Sequence, residues 1–182
     1  HDQLVEIIEQ ENMMLQAGEI LRDYPHVEEH MRSVKATYEY GDENYTVLVP
    51  DRIEDVLNEG RNLHHCVDKQ DRYWDRLERK ESYVFFLRRT NNIGQSYYTL
   101  EVEPGGTIRQ KRTMYDRQED DIEEATEFLQ KWQKEIRKRL TKEDYALAEK
   151  SRILRLENFK QLRKDNVIIN TGHLQGAKLV DV

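Results

Sequence analysis

The chain holds one cysteine, Cys66, among 182 residues, so no internal disulfide framework can staple it. No apolar run approaches the roughly 18 residues that a membrane span requires. No basic-then-apolar leader for secretion is visible either. Positive charge is not in excess: the net charge of -7 argues against a uniformly basic nucleic-acid binder. A lone thiol without span or leader makes a reducing cytoplasm the expected location.

What is present is charge. Hydrophobic residues make up 37% and charged residues 36%, a thin apolar supply suited to a small packed centre with solvated helices attached. Basic residues crowd into 131–142 and 150–164, and acids dominate 116–127. The first residue is His1 rather than Met, which reads as a piece of a longer chain or a tag remnant.

Hydrophobic spacing predicts a helix over 4–24, ended by Pro25, and a short helical piece from Val27 to Lys35. Thr37–Tyr40 and Tyr45–Val49 flank Gly41-Asp42-Glu43-Asn44 as a hairpin. Asp51 with Glu54 suggests a capping box for a helix that stops at Gly60. Another helix then begins near Asn62, carrying Leu63, Cys66, Val67, Tyr73, Trp74 and Leu77 on one face. Ser82–Arg89, Ser96–Val102 and Thr107–Arg112 read as three strands whose short connections force antiparallel pairing. An amphipathic helix over Arg117–Leu140 covers that meander, and a helix capped by Thr141 follows to Arg163. Weak strand signals at Val167-Ile168-Ile169 end the chain.

The expected fold class is α+β: a three-stranded antiparallel meander with an additional N-terminal hairpin, covered by helices, with long helical extensions. The expected division is an N-terminal helical extension over 1–36, the α+β domain over 37–140, and a C-terminal helix and tail over 141–182.

Leu63-His64-His65-Cys66-Val67 is the segment richest in chemistry, since imidazole and thiolate titrate near neutral pH, act as nucleophiles and bind zinc. On a helix the three cannot all face one point. Cys66 falls on the apolar side, where a free cysteine is commonly an inert small hydrophobe. His65 points away, as a surface or capping residue would. One cysteine and scattered histidines supply no zinc-finger spacing, so neither a metal nor a cofactor is expected. On the meander, Glu101 shares a face with Thr99, and Gln110 shares one with Ile108 and Arg112. Arg88 closes the first strand. Facing a histidine-bearing helix, this carboxylate, amide and guanidinium would form a site for an anion. The plainer reading is a solvated face with salt bridges from Glu101 to Arg88 or Arg109. Glu101 followed by Gln110-Lys111-Arg112 also offers a poor match to restriction-type nucleases, because Arg112 occupies the lysine position.

The order of these motifs resembles the PcfJ-like domain. Gly60-x-x-Leu63-His64-His65-Cys66-Val67, Tyr73, Phe86-Leu87-Arg88, Thr99-Leu100-Glu101-Val102, Ile108-x-Gln110 and a helix with Phe128-Leu129 and Trp132 carry the resemblance from about Tyr45 to Arg139. That family occurs in conjugative plasmids, integrative elements and phages, and its named example accompanies the relaxase machinery of a plasmid transfer region. The resemblance implies His64, His65, Cys66, Arg88, Glu101 and Gln110 as the polar motif residues. Where members often continue with Gly-x-x-Asn, this chain has Arg112-Thr113-Met114-Tyr115-Asp116, which implies an altered site.

Two functions follow as expectations. One is a binding or adaptor module of a DNA-transfer complex, with protein partners and with nucleic acid contacted through 131–142 and 150–164. The interspersed acids in those stretches also suit plain solvated helices. The other is an enzyme of unknown reaction, with His64 or Cys66 as base or nucleophile and Arg88 with Gln110 holding an anionic intermediate.

Overall fold

A computed structural model describes residues 3–64 and 72–164. Its elements are α1 (Gln3–Asp23), α2 (Val27–Ser33), α3 (Lys35–Tyr38), β1 (Tyr40–Gly41), β2 (Tyr45–Leu48), α4 (Ile53–Asn62) and α5 (Tyr73–Glu78). Then come β3 (Tyr83–Arg89), β4 (Tyr98–Val102), β5 (Ile108–Thr113), α6 (Ile122–Arg137) and α7 (Lys142–Lys164). The fold is α+β. The hairpin and the meander are not separate, however: they form one five-stranded antiparallel sheet in the order β1-β2-β3-β4-β5. They join because β2 runs along β3, with Val47 opposite Leu87 and Leu48 opposite Phe86.

Alternation along the strands gives the sheet two apolar faces. Phe85, Leu87, Leu100 and Val102 meet Ala125, Phe128, Leu129, Trp132 and Ile136 of α6. The Trp132 indole N–H donates to the Tyr38 carbonyl at 2.7 Å, which fixes α3 onto this layer. Val84 and Phe86 on the opposite face meet Trp74 and Leu77 of α5 and Ile53, Val56 and Leu57 of α4. Met13, Ala17 and Ile20 of α1 and Val27 and Met31 of α2 belong to the same layer, so these helices contribute core as well as surface. The meander thus lies between the helix of Trp74 and the helix of Trp132, as their apolar faces predict.

Several local expectations are corrected. The helix predicted to stop at Gly60 continues to Asn62. The left-handed residue that ends it is His64, at φ 55°. Among the described residues no helix begins at Asn62–His64, and the next one starts at Tyr73, after Arg72 in a left-handed conformation. The cap of α4 is shifted by one residue: the Asp55 carboxylate, not Glu54, accepts the N–H groups of Asp51 and Arg52 at 3.0 and 3.1 Å. By contrast, Thr141 and Asp144 form the reciprocal box at α7, with Asp144 N–H donating to Thr141 Oγ1 at 3.2 Å. The strand expected at Thr37–Tyr40 reduces to Tyr40–Gly41, because Tyr38 is drawn into α3 and donates no ladder. Helix α6 begins at Ile122 rather than Arg117, after a short 3₁₀ turn at Met114–Asp116. The tail strand signals at 167–169 lie outside the described residues.

β5 carries a further change. The register shifts between Glu101, opposite Gln110, and Val102, opposite Ile108. Arg109 is the extra residue, so Ile108 packs with the α6 layer while Gln110 lies on the other face. Ile108 and Gln110 therefore do not share a face.

Candidate functional site

Arg88 stands on the β3 face that carries Phe86, opposite Thr46. Its Nε and Nη2 donate to the two carboxylate oxygens of Glu59 at 3.1 and 2.5 Å, and its Nη1 donates to the Ile93 carbonyl at 2.7 Å. The Ser96 hydroxyl donates to Glu59 at 2.7 Å. Glu59 is 2% exposed, so this ion pair is buried and hydrogen-bonded on both sides. An open cleft of about 260 Å³ lies beside it, lined among others by Lys35, Asp51, Asn58, Phe86 and Arg88.

Glu101 sits on the same sheet face, directly opposite Gln110. Arg76 of α5 donates Nε and Nη2 to it at 2.7 and 2.9 Å, and the Ser82 hydroxyl donates at 2.6 Å. Glu101 is buried at 6% side-chain exposure, not part of a solvated face. The expected bridges to Arg88 and Arg109 are replaced. Arg109, at the bulge, donates to Glu103 and Glu81 at 2.8 Å each and to the Ser151 hydroxyl at 3.2 Å. Arg155 Nε adds an ion pair to Glu103 at 2.6 Å, outside hydrogen-bond alignment.

His64 is exposed, and its ring stacks on Tyr115 with centroids 4.7 Å apart and planes at 8°. His65 and Cys66 lie outside the described residues. The sheet register brings Glu101 and Gln110 together, and His64 lies against the turn that follows β5. Arg88 belongs to a different cluster, around Glu59. The residues that sequence reasoning missed are Glu59, Arg76 and Ser82. Glu59 had a sign: it stands three residues after Val56 and four before Leu63, on the apolar face of its helix. Nothing in the spacing of Arg76 or Ser82 announces their partner.

Two hydroxyl oxygens, Tyr73 Oη and Thr99 Oγ1, are buried without a hydrogen-bond partner among the described residues. Burial, then the charge of Glu101, pushes the Tyr73 phenol well above its ordinary range. Thr99 lies opposite Arg112 and on the side of Glu101. Among the described residues, no group of three or more His, Cys, Asp or Glu side chains converges as a metal site.

The basic stretches are partly turned inward. Arg139 donates to the carbonyls of Ala36, Thr37 and Glu39 at 3.4, 3.4 and 2.8 Å, and Lys131 pairs with Asp42 at 3.2 Å. Arg155 is committed to Glu103. Lys134, Arg137, Lys150, Lys160 and Lys164 are exposed.

A mixed helical layer holds one face of this antiparallel sheet, and ion pairs seal its polar positions; no solved structure matches the chain. The chain belongs to the PcfJ-like protein family, whose match runs over residues 1–127. That span takes in α1 to α3, beyond the Tyr45–Arg139 stretch that the motifs alone delimit, and it ends within α6. The chain is also similar to the uncharacterized protein Lin1253/Lin1744 of Listeria innocua, 35% identical over 63 residues. The aligned part is 35% of this chain and only 14% of that relative, so the chain spans a small part of the relative's length. Among the described residues, no helix is long and apolar enough to cross a membrane.

Proposed function

We propose that the chain is a binding or adaptor module of a cytoplasmic DNA-transfer complex of a mobile element. The observation that carries this reading is the pairing of Arg88 with Glu59 and of Glu101 with Arg76. The enzyme reading needs both groups free to polarise a substrate, and each is already held bidentately by an opposite charge. Family membership supports the mobile-element context. The inward commitment of Arg139, Lys131 and Arg155 favours protein partners over an extended phosphate track.

The experiment replaces the buried pair by an apolar one, Glu59→Leu with Arg88→Leu, in the full parent protein. Such exchanges commonly preserve folding. An adaptor retains conjugative transfer in proportion to folded protein. Loss of transfer with an unchanged melt would contradict it.

A second reading is favoured by the unpartnered Tyr73 and Thr99 hydroxyls beside Glu101. Buried orphan polar groups cost stability and are kept where they act. On this reading the chain is an enzyme of unknown reaction that uses the His64-His65-Cys66 segment with Arg88, Glu101 and Gln110. Tyr73→Phe separates the two, as argued below.

A further inference from the structure

Helix α1 is apolar on two sides. Met13, Ala17 and Ile20 are buried against the core, while Leu4, Ile8 and Leu15 are exposed on the opposite side and Ile7, Met14 and Leu21 on the flank next to them. Leu15 is 68% exposed and Leu4 64%. Ile7, Met14 and Leu21 recur every seven residues, the spacing of a seam for another helix. A helix apolar all round is normally enclosed, and a contiguous exposed stripe marks an interaction surface. The charges around the stripe have one dominant sign: over α1, Glu6, Glu9, Glu11, Glu19 and Asp23 against Arg22 give five minus one, a net of -4.

The complement lies at the other end of the same chain. Helix α7 buries only Ser151 fully, and its outer side exposes Tyr145, Ile153 and Leu156. Over the whole of α7 the charges are Lys142, Lys150, Arg152, Arg155, Lys160, Arg163 and Lys164 against Glu143, Asp144, Glu149 and Glu157, seven minus four, a net of +3, with Arg155 turned inward to Glu103. Lys142, Arg152, Lys160 and Arg163 fall at helical positions that flank the three apolar residues. One stripe is apolar with an acidic surround, the other apolar with a basic surround, and both lie open on the same molecule.

We propose that α1 of one copy docks along the outer face of α7 of a second copy. Pairing α1 with α1 would set acids against acids, and α7 with α7 bases against bases, so charge selects the unlike pair. The contact is heterologous, joining two different patches. Repetition therefore extends the assembly into a ring or a filament instead of stopping at a symmetric dimer. Such self-association holds whether the module is an adaptor or an enzyme.

Sedimentation of the purified chain over a wide range of concentration and salt tests this. The wild type should grow beyond a dimer as concentration rises and should shrink as salt screens the charges. Ile7→Glu with Met14→Glu removes the α1 stripe, and Ile153→Glu with Lys160→Glu removes the α7 stripe. All four positions are exposed, so both variants should melt as the wild type does. Each alone should be monomeric. Their equimolar mixture should form a one-to-one complex of twice the monomer mass and nothing larger, since one copy keeps α7 and the other α1. A wild type that stays monomeric throughout overturns the proposal. So does a mixture of the two variants that stays monomeric while the wild type associates, which would indicate like-with-like pairing.

Discussion

The His64 ring lies flat against Tyr115, and the Tyr115 N–H donates to the Leu63 carbonyl at 3.1 Å, so two left-handed residues are clasped together. The end of α4 is thereby tied to the turn leaving β5. A left-handed histidine costs roughly 1 kcal/mol or more, and an aromatic pair returns about 0.5–1.5 kcal/mol. His64→Gly loses the stack but suits the backbone, so its melting temperature should stay near the wild type. His64→Ala loses the stack and keeps the strain, and chemical denaturation should show it less stable by about 1 kcal/mol. Equal stability of Gly and Ala variants would remove His64 from this structural role.

Breaking one side of the buried Arg88–Glu59 pair strands a charge. Glu59→Leu and Arg88→Leu singly should each cost about 3–5 kcal/mol in urea unfolding. The double exchange to Leu should cost less than their sum, with a coupling free energy that a double-mutant cycle reads directly. Additive costs would mean that the pair contributes nothing as a pair.

Asp121 caps no helix N–H with its side chain; its carboxylate instead takes Arg89 Nε and Nη2 at 2.9 Å each, Tyr97 Oη at 2.6 Å and Tyr45 Oη at 2.7 Å. The Arg89 hydrogen bonds, with those of Tyr97 and Tyr45, hold its carboxyl well below the usual carboxylate range. A depressed carboxylate stabilises the fold above the unfolded pKa near 3.9, and that stability drains as pH falls from there through the folded value. Melts from pH 7 to pH 2 should show the wild type losing its advantage over Asp121→Asn, on the order of 2 kcal/mol, only in the acid limb. A gap independent of pH would contradict the assignment.

Tyr73→Phe deletes a buried hydroxyl that has no partner among the described residues. As a packing element the ring remains, so stability should hold or rise slightly. Unchanged transfer in a conjugation assay is the adaptor outcome. Transfer lost from a protein of unchanged stability would favour the enzyme reading.

Strand content was legible because Tyr83–Arg89 and Tyr98–Val102 are rich in aromatic and β-branched residues, and the Thr141–Asp144 box marked α7 unaided. The end of α4 was misread because Gly60 has the left-handed preference while His64 carries the conformation, under tertiary constraint from Tyr115. The Arg109 bulge is invisible to alternation, since one extra residue moves Ile108 to the other face with no change in composition. Of the candidate site, the adjacency of the strands that carry Glu101 and Gln110 followed from their short connection, while their direct pairing depends on the bulge. The counter-ions Glu59 and Arg76 did not, because long-range ion pairs leave no spacing in the chain.

The most direct measurement is conjugative transfer by parent protein carrying Glu101→Gln, assayed at a low and a high temperature alongside its melt. Glutamine keeps the shape and the Ser82 contact but removes the charge that holds Arg76. If Glu101 is a structural partner, transfer is near wild type at the low temperature, where the protein is folded, and falls only as the variant melts. Transfer abolished at the low temperature in a fully folded protein would contradict that account.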